Sequence, residues 1–287
     1  MAIVFDSDAG TVTGISVGGL PDGIVDRDTL ATSIDDSGDA TAITIISSED
    51  VGVGVTPETW AGGIKGLQFG NCGAMGSWSG NSVYNNNAYY SSGWKYITTN
   101  ESTAINHNSA GDILFQTAPS GTADAAITYT TAMTIANDGT VTQPLQPAFG
   151  TRITSLMDNL ADGYNTITFD SEIFDQNSDF NTGTYTFTAP VTGKYMLSAS
   201  IASINLPLDA QWFFLQILTS NRSYTHSTST DQFDAAADAS HVTSYTMSSL
   251  ADMDAGDTAY VRAYQYTGTN QTDINDNYSF FNGYLVC

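Results

Sequence analysis

The sequence predicts an all-β protein built from many short strands. Runs in which apolar and small polar residues alternate recur along the chain, and turn residues separate one run from the next, which is the pattern of antiparallel strands. In Phe180–Ile201, two such runs flank Ala-Pro-Val-Thr-Gly, where Pro190 fixes φ and Gly193 is expected to supply a permissive backbone position. Charged residues make up only 13% of the chain and 26 glycines are spread through it, so strands and turns are favoured over helices.

The charge of the chain excludes one class of partner. Thirty acidic residues against seven basic ones give a formal net charge of −23, and such a surface repels phosphate backbones, so we expect no nucleic-acid binding.

No run reaches the roughly 18 apolar residues of a membrane span, so we expect no membrane insertion. The first residues lack the basic flank and apolar core of a secretion signal, and we therefore expect synthesis in the cytoplasm without a signal peptide.

Changes in composition predict four segments. The first is poor in large apolar groups and is expected to be an extended attachment segment and linker, in which a short helix begins at Asp26 and reaches Ile34. The second is rich in strand patterns, the third is a joint stiffened by two prolines, and the fourth is a separate β domain. The segments are residues 1–40, 41–142, 143–147 and 148–287.

Residues 41–142 contain too few large apolar side chains to form a core in a single copy. At about 25 cal/mol per Å² of apolar area buried, one chain would not offset the cost of ordering its backbone. Three copies wound round one axis would bury these groups against each other and close the exposed strand edges, so we expect an interleaved homotrimeric shaft. The isolated large side chains are Ile45, Leu67, Phe69, Trp78, Trp94, Ile113, Leu114, Phe115 and Ile135.

Residues 148–287 carry an ordered set of short motifs. Phe187-Thr-Ala-Pro190 is followed by Gly193-Lys-Tyr195, then by Gly256-Asp257 ahead of an alternating run, and finally by Phe281-Asn-Gly-Tyr-Leu285. This order resembles the complement C1q-type globular domain, a relative of the tumour-necrosis-factor jelly roll. The resemblance implies a C1q-like antiparallel jelly-roll sandwich, and a homotrimer that associates through an apolar, aromatic-rich face.

Two further stretches of this domain are assigned to strands. Ile167–Phe169 and Ile173–Phe174 fit the next strand of the C1q-type fold and the run-up to the motifs that begin at Phe187. Trp212–Leu218, with the sequence WFFLQIL, is predicted to be a central strand that is buried on both faces.

Residues 87–141 contain Tyr-Tyr, Trp-Lys-Tyr, Ala-Pro-Ser-Gly-Thr-Ala and Ala-Met-Thr-Ile in this order. This combination resembles a module that recurs in the tail fibres of tailed bacteriophages, and GGLPDG at 18–23 is similar to segments near the start of such proteins. The resemblance implies a structural protein of the virion, an adhesin that binds a host polysaccharide or outer-membrane component. It also implies that other tail or baseplate proteins hold the N-terminus.

Two long polar segments of the C-terminal domain are candidates for receptor binding. Thr219–Ser240 and Thr267–Tyr278 each join predicted strands without contributing obvious core residues, and such loops tolerate the variation that changing receptors require. Polar aromatic side chains in or beside these loops offer a flat apolar face and a hydroxyl group, which suits sugar rings and polar protein surfaces alike. The candidate receptor-binding residues are Arg222, Tyr224, Asp273, Asp276 and Tyr278, and the aromatic set also includes Phe233, Tyr264 and Tyr266.

The resemblance to C1q-type trimers also implies a calcium site. The loop that precedes His241 contains Asp231, Asp234 and Asp238, and hard cations require several oxygen ligands together. A solvated polar loop is the alternative interpretation of the same residues.

No enzymatic activity is expected. The carboxylates of Asp170, Glu172, Asp175 and Asp179 have no spacing that demands a glycosidase pair. A virion enzyme that degrades polysaccharide, and a purely architectural collar or baseplate protein, remain the alternatives to an adhesin. Cys72 and Cys287 fall in different predicted domains, so we expect both to be free thiols.

Overall fold

The structure is a computed structural model that describes residues 4–6, 11–13, 33–35, 41–206, 212–229, 242–266 and 272–287. Over these ranges the secondary structure consists of β-strands, with no helix, and the described residues accordingly hold no helix of the length and apolarity that a membrane span needs. The chain divides into two compact units, Met1–Gln143 and Pro144–Cys287. The boundary between them falls inside the predicted joint at residues 143–147.

The N-terminal unit is built around a ten-stranded sheet whose strands follow the chain order with few exceptions. Strands β1 and β2 form a separate two-stranded sheet, and β9 and β10 form another. The strands of this unit are β1 Val4–Asp6, β2 Thr11–Thr13, β3 Ser33–Asp35, β4 Thr41–Ile45, β5 Val51–Val53, β6 Lys65–Phe69, β7 Gly73–Trp78, β8 Asn81–Asn86, β9 Tyr89–Tyr90, β10 Trp94–Lys95, β11 Asn100–His107, β12 Ile113–Gly121, β13 Thr130–Ile135 and β14 Val141–Thr142.

One face of the ten-stranded sheet is covered by side chains from its own connections. Strands β5 and β6 are parallel, so the chain between them must cross over the sheet. This crossover carries Trp60, whose indole occupies the space that a Cβ would need at Gly66 or Gly76. Such a Cβ would lie 2.4 Å (Gly66) or 2.6 Å (Gly76) from the nearest atom of the indole. The ring is 4% exposed and packs with Ile64 and Tyr89. Small residues in the strands thus provide the space for large side chains from the connections.

The predicted N-terminal helix is wrong where the structure describes it. Ser33–Asp35 forms strand β3, which pairs with β4, because a helix this short does not offset its cost of nucleation, whereas a strand beside β4 forms its hydrogen bonds with an existing strand. The rest of the predicted helix, from Asp26 onward, lies outside the described residues.

The C-terminal unit is a sandwich of two antiparallel sheets. The first sheet has the order β17-β15-β25-β20-β23, and the second has the order β18-β19-β24-β21-β22, with β16 also paired to β24. The strands are β15 Ala148–Arg152, β16 Gly163–Thr166, β17 Ser171–Asp175, β18 Phe180–Asn181, β19 Thr186–Thr188, β20 Gly193–Ile204, β21 Trp212–Thr219, β22 Ser223–Ser229, β23 Thr243–Met253, β24 Thr258–Tyr266 and β25 Asp273–Leu285.

The core between the two sheets follows the alternation of the sequence. In β20, Tyr195, Leu197 and Ile201 are fully buried, and in β21 the odd-numbered Phe213, Leu215 and Ile217 are fully buried. Four phenylalanine rings from different strands meet at one end of this core, with centroid distances from Phe149 of 4.6 Å to Phe187, 5.0 Å to Phe281 and 5.3 Å to Phe180. The alternating pattern therefore fixes which face of each strand is covered.

Ile167–Phe169 is not a strand, contrary to the prediction. These residues connect β16 in the second sheet to β17 in the first, so the chain crosses between the sheets and cannot keep a ladder of hydrogen bonds there. Ile167 and Phe169 are both fully buried, since the crossing segment passes through the core. Ile173 and Phe174 do lie in a strand, β17, but at the edge of the first sheet, where they are 64% and 53% exposed.

Gly193 is required for packing rather than for an unusual backbone angle. The turn before it carries the chain from β19 in the second sheet to β20 in the first, and the positive-φ glycines include Gly256 but not Gly193. A Cβ at Gly193 would lie 2.6 Å from the carbonyl oxygen of Cys287 and 2.6 Å from a methyl group of Leu285. The role predicted for Gly193 is thus wrong in mechanism, although the turn itself is present.

The two cysteines are free thiols, Cys72 half-buried in the N-terminal unit and Cys287 exposed in the C-terminal unit.

Candidate functional site

The five candidate receptor-binding residues do not form one site. Arg222 lies beside Asp252, at the end of the sandwich where β20 begins, because Gly193 pairs with Met253. Asp273 lies at the other end, since it pairs with Ile204 at the end of β20. At about 3.3 Å per residue, the two ends of this strand are roughly 35 Å apart.

Arg222 and Tyr224 serve the fold at their end of the sandwich. A guanidinium nitrogen of Arg222 donates to Oδ2 of Asp252 at 2.8 Å, and the neighbouring Asn221 donates to Oδ2 of Asp257 at 2.7 Å. Tyr224 is half-buried and packs against the core, and burial raises the pKa of its hydroxyl group. These contacts join the β21–β22 turn to the β23–β24 turn.

At the opposite end, Asp273 is a structural residue and Tyr278 is accessible. Asp273 is 7% exposed, and its carboxylate accepts hydrogen bonds from the backbone N–H of Asn159 at 2.7 Å and from the amide of Asn205 at 2.6 Å. Asp276 is half-buried, whereas Tyr278 is 60% exposed. Of these three residues, Tyr278 offers the side chain best placed to meet a ligand.

The two predicted polar loops are shorter than the sequence suggested. Ser223–Ser229 within the first of them forms β22, and Asp273 begins β25 within the second. Ile274, inside the second predicted loop, is fully buried in the core. Both strands are recruited by pairing, β22 with β21 and the start of β25 with β20, which composition alone does not reveal.

The predicted calcium ligands Asp231, Asp234 and Asp238 lie outside the described residues, as does Phe233. Within the part of the chain that is described, no group of three His, Cys, Asp or Glu side chains is arranged to hold a metal ion. The calcium site stays a prediction from the sequence.

The four acidic residues between β16 and β18 include carboxylates that accept hydrogen bonds from neighbouring residues. Asp170 accepts from the backbone N–H and the hydroxyl of Thr154 at 2.8 and 2.6 Å, and Asp175 accepts from the backbone N–H of Phe180 at 2.8 Å. Burial and then the nearby charge of Asp175 raise the pKa of Asp179, and a cavity of about 540 Å³ lies against it. Glu172 is exposed.

The outer face of the second sheet carries a cluster of five aromatic rings. The residues that alternate with the buried ones in β21 and β24 point away from the core, and cross-strand pairing aligns them: Trp212 is opposite Tyr266, and Tyr264 lies between Phe214 and Tyr164. Trp212, Tyr266 and Tyr164 are 46%, 42% and 56% exposed. We call these five residues the aromatic platform.

The rings of the aromatic platform are ordered with respect to each other. Phe214 and Tyr264 have centroids 5.3 Å apart and planes 17° apart, and Tyr264 and Tyr266 have centroids 6.4 Å apart and planes 8° apart. The guanidinium carbon of Arg262 lies 3.8 Å from the centroid of Tyr164, and its Nε donates to Oε1 of Gln216 at 2.7 Å. The platform therefore joins three nearly parallel rings to a positive charge that is held against a fourth, tilted ring.

Sequence reasoning missed this surface in two respects. Trp212–Leu218 was predicted to be buried on both faces, but Trp212 is 46% exposed and Phe214 is half-buried on the outer face. Tyr264 and Tyr266 were considered only as aromatic residues in or beside a loop, yet both lie in strand β24 and pair with β21. The signal was available in part, because even-numbered aromatic residues recur in both strands, but only the pairing register shows that they meet.

The outer face of the first sheet carries a different apolar surface. Met196 pairs with Leu250 on one side and with Tyr284 on the other, and Leu250 and Tyr284 are each 52% exposed. Phe280, further along β25, is 38% exposed. We call these four residues the first-sheet apolar surface.

A longer apolar row crosses the open face of the ten-stranded sheet in the N-terminal unit. Its members lie directly opposite one another on successive strands, none is charged, and three of them, Ile45, Met75 and Tyr84, are 45–47% exposed. The other members are half-buried. The row consists of Ile45, Val51, Leu67, Met75, Tyr84, Ile105, Phe115 and Met133.

Comparisons with known proteins concern the C-terminal unit. Residues 148–286 match the family model of the C1q domain. Among solved structures, the globular domain of zebrafish complement 1qA is 21% identical, covers 49% of this chain and 98% of its own, and has a TM-score of 0.34. Murine APRIL at pH 8.0 is 10% identical with 49% and 99% coverage and a TM-score of 0.36. Eiger TNF from S. frugiperda is 12% identical with 50% and 93% coverage and a TM-score of 0.36.

A search of curated proteins found no match. The two-sheet arrangement and the family match together confirm the predicted all-β fold with a C1q-like jelly roll. Residues 148–286 of this chain form a C1q domain.

Proposed function

We propose that this protein is a homotrimeric tail fibre of a tailed bacteriophage, and that its C1q domain binds a receptor on the bacterial surface. The receptor is a surface polysaccharide or an outer-membrane component. The protein acts by binding and carries out no covalent chemistry.

The observation that carries this proposal is the difference between the two outer faces of the C1q domain. The first sheet presents the first-sheet apolar surface, which suits contact with further copies of the same domain. The second sheet presents the aromatic platform with a positive charge, which suits a ligand. A domain that uses one sheet to associate keeps the other sheet free to bind.

The apolar row of the N-terminal unit supports the trimer independently. In a chain with a net charge of −23, an uncharged row across eight strands offers identical chains a contact at which no like charges face each other. Burial of its large side chains against other copies adds roughly 25 cal/mol for each Å² of apolar area removed from water. A trimer also strengthens weak receptor contacts, because three binding surfaces on one particle raise the effective concentration.

The proposed place in a virion rests on the sequence of the N-terminal unit. Residues 87–141 resemble a recurrent tail-fibre module, and GGLPDG at 18–23 resembles segments near the start of such proteins. The N-terminal segment binds other tail or baseplate proteins, and the fibre is made in the cytoplasm of the host.

Binding experiments with whole bacteria separate this function from its alternatives. The purified full chain is incubated with a panel of bacterial strains and with polysaccharide extracted from each strain, and both binding and polysaccharide length are measured. Binding to at least one strain and to its polysaccharide, without shortening of the polysaccharide, is the expected result. Shortening would show a degrading enzyme, and absence of binding to every strain would favour an architectural part of the virion.

A further inference from the structure

We propose that the aromatic platform and Arg262 together form a binding surface for an acidic polysaccharide that carries carboxylate groups. This inference rests on the proposed adhesin function and specifies the surface and the class of ligand. The sequence pointed instead to the loops at Arg222, Tyr224, Asp273, Asp276 and Tyr278.

The rings supply the apolar half of the recognition. One face of a pyranose ring is lined with C–H groups, and it stacks on the flat face of an aromatic side chain. Trp212, Tyr266 and Tyr164 are 46%, 42% and 56% exposed, whereas Phe214 and Tyr264 stack on each other, with centroids 5.3 Å apart and planes 17° apart. The exposed rings can therefore stack on the sugars of a bound chain.

Arg262 supplies the charge. The chain has only seven lysine and arginine residues against thirty acidic ones, yet one of the seven lies within the platform, 3.8 Å from the ring centroid of Tyr164. Among the described residues no carboxylate lies within ion-pair distance of Arg262, since the ion pairs there are Lys65–Glu49 and Arg222–Asp252. A guanidinium group held by a ring and an amide binds carboxylate through two parallel hydrogen bonds.

Polar side chains border the rings where sugar hydroxyl groups need partners. Ser227 lies opposite Phe214, Thr225 lies opposite Gln216, and Thr166 lies opposite Arg262. The amide of Gln216 donates to the hydroxyl of Thr225 at 2.9 Å and accepts from Arg262. A hydroxyl and amide border beside stacked rings matches the chemistry of a polysaccharide, which has both C–H faces and hydroxyl edges.

Two other ligand classes fit the surface less well. Nucleic-acid bases also stack on aromatic rings, but the phosphate backbone is repelled by a chain of net charge −23. Tyr, Trp and Arg are also frequent at protein interfaces, but exposed rings bordered by hydroxyl and amide side chains match both the C–H faces and the hydroxyl edges of a polysaccharide. A protein receptor is therefore an outcome that the experiment must distinguish.

The test measures binding of the full chain to defined sugars by isothermal titration calorimetry. The probes are oligogalacturonate, oligoglucuronate and oligomannuronate, each with its fully methyl-esterified counterpart, which is neutral. We expect at least one acid to bind, and to bind about tenfold more tightly than its ester, which is a common value of one charged contact. Arg262→Gln is expected to remove this difference between acid and ester.

Exposed positions allow the rings to be tested with little risk to folding. Trp212→Ala and Tyr164→Ala are each expected to weaken binding about tenfold, as truncation of a central aromatic contact does. Matched controls lie on the first sheet: Arg152→Gln removes the same charge, and Phe174→Ala removes a ring that is 53% exposed. Both controls are expected to bind as the parent does, and circular dichroism checks that every variant is folded.

The inference is overturned if no acidic oligomer binds, or if the platform variants bind as the parent does. It is also overturned if Tyr278→Ala loses binding while the platform variants keep it, because the site would then lie where the sequence placed it. Loss of cell binding after protease treatment of the bacteria, with no sugar binding, would show a protein receptor. Binding of the parent to whole bacteria is measured in parallel, so that failure of the adhesin function is seen separately from failure of the platform.

Discussion

Phe149→Ala tests the packing that holds the two sheets of the C1q domain together. Phe149 is 1% exposed and its ring lies within 5.3 Å of three other phenylalanine rings. Those rings come from β18, β19 and β25, so truncation leaves a cavity that no single strand can close by moving. We therefore expect a loss in the upper part of the usual range for Phe→Ala, about 3–5 kcal/mol in the free energy of unfolding.

This loss corresponds to a large change in melting temperature. With an unfolding entropy of about 2.1 cal/mol/K per residue, a unit spanning Pro144–Cys287 is expected to melt roughly 10–17 °C lower. The assay is differential scanning calorimetry of the full chain at one fixed protein concentration, since association makes the melting temperature depend on concentration.

The control is Phe174→Ala, which removes the same side chain from an edge strand where it is 53% exposed. We expect Phe174→Ala to shift the melting temperature by no more than about 3 °C, the equivalent of roughly 1 kcal/mol. If Phe149→Ala also melts within this margin of the parent, the four-ring cluster does not hold the sheets together and the account of the core is wrong.

Three further outcomes follow from individual residues. Gly193→Ala is expected to cost about 1–3 kcal/mol by overpacking, and an unchanged denaturant midpoint would contradict the close contacts there. Burial, and then the charge of Asp175, raise the pKa of Asp179, which means that the charged carboxylate destabilises the folded state. Asp179→Asn is therefore expected to raise the melting temperature at pH 7, and to lose this advantage at pH 3, where the carboxyl group is protonated. A lower melting temperature of this variant at pH 7 would refute the reasoning. Thiol titration should modify Cys287 rapidly, Cys72 slowly, and both after unfolding, whereas finding neither would indicate a disulfide.

The sequence predicted the sandwich well because alternation and turn chemistry act locally. The buried positions of β20, such as Leu197 and Ile201, can be inferred from a period of two, and the turn at Pro190 from the fixed φ of proline. The prediction failed where the chain leaves one sheet for the other. Ile167 and Phe169 are as apolar as strand residues, but they lie in a crossing segment, and nothing local distinguishes the two cases.

The aromatic platform could not be predicted because it depends on register. Trp212 and Tyr266 are far apart in the chain and become neighbours only because β21 and β24 pair with these two residues opposite each other. A shift of one residue would turn Trp212 toward the core. The same reason hides the apolar row of the N-terminal unit, of which the sequence analysis named only Ile45, Leu67 and Phe115.

The mass of the full chain in solution is the most direct test of a trimeric fibre. Sedimentation velocity combined with light scattering at micromolar concentration is expected to give about three times the chain mass of 30.4 kDa. Met75→Glu, which places a charge in the apolar row of the N-terminal unit, is expected to lower this mass or to broaden its distribution. A folded, monodisperse monomer of the unmodified chain would contradict the trimer, and with it the proposal that the open apolar surfaces of both units are contacts between copies.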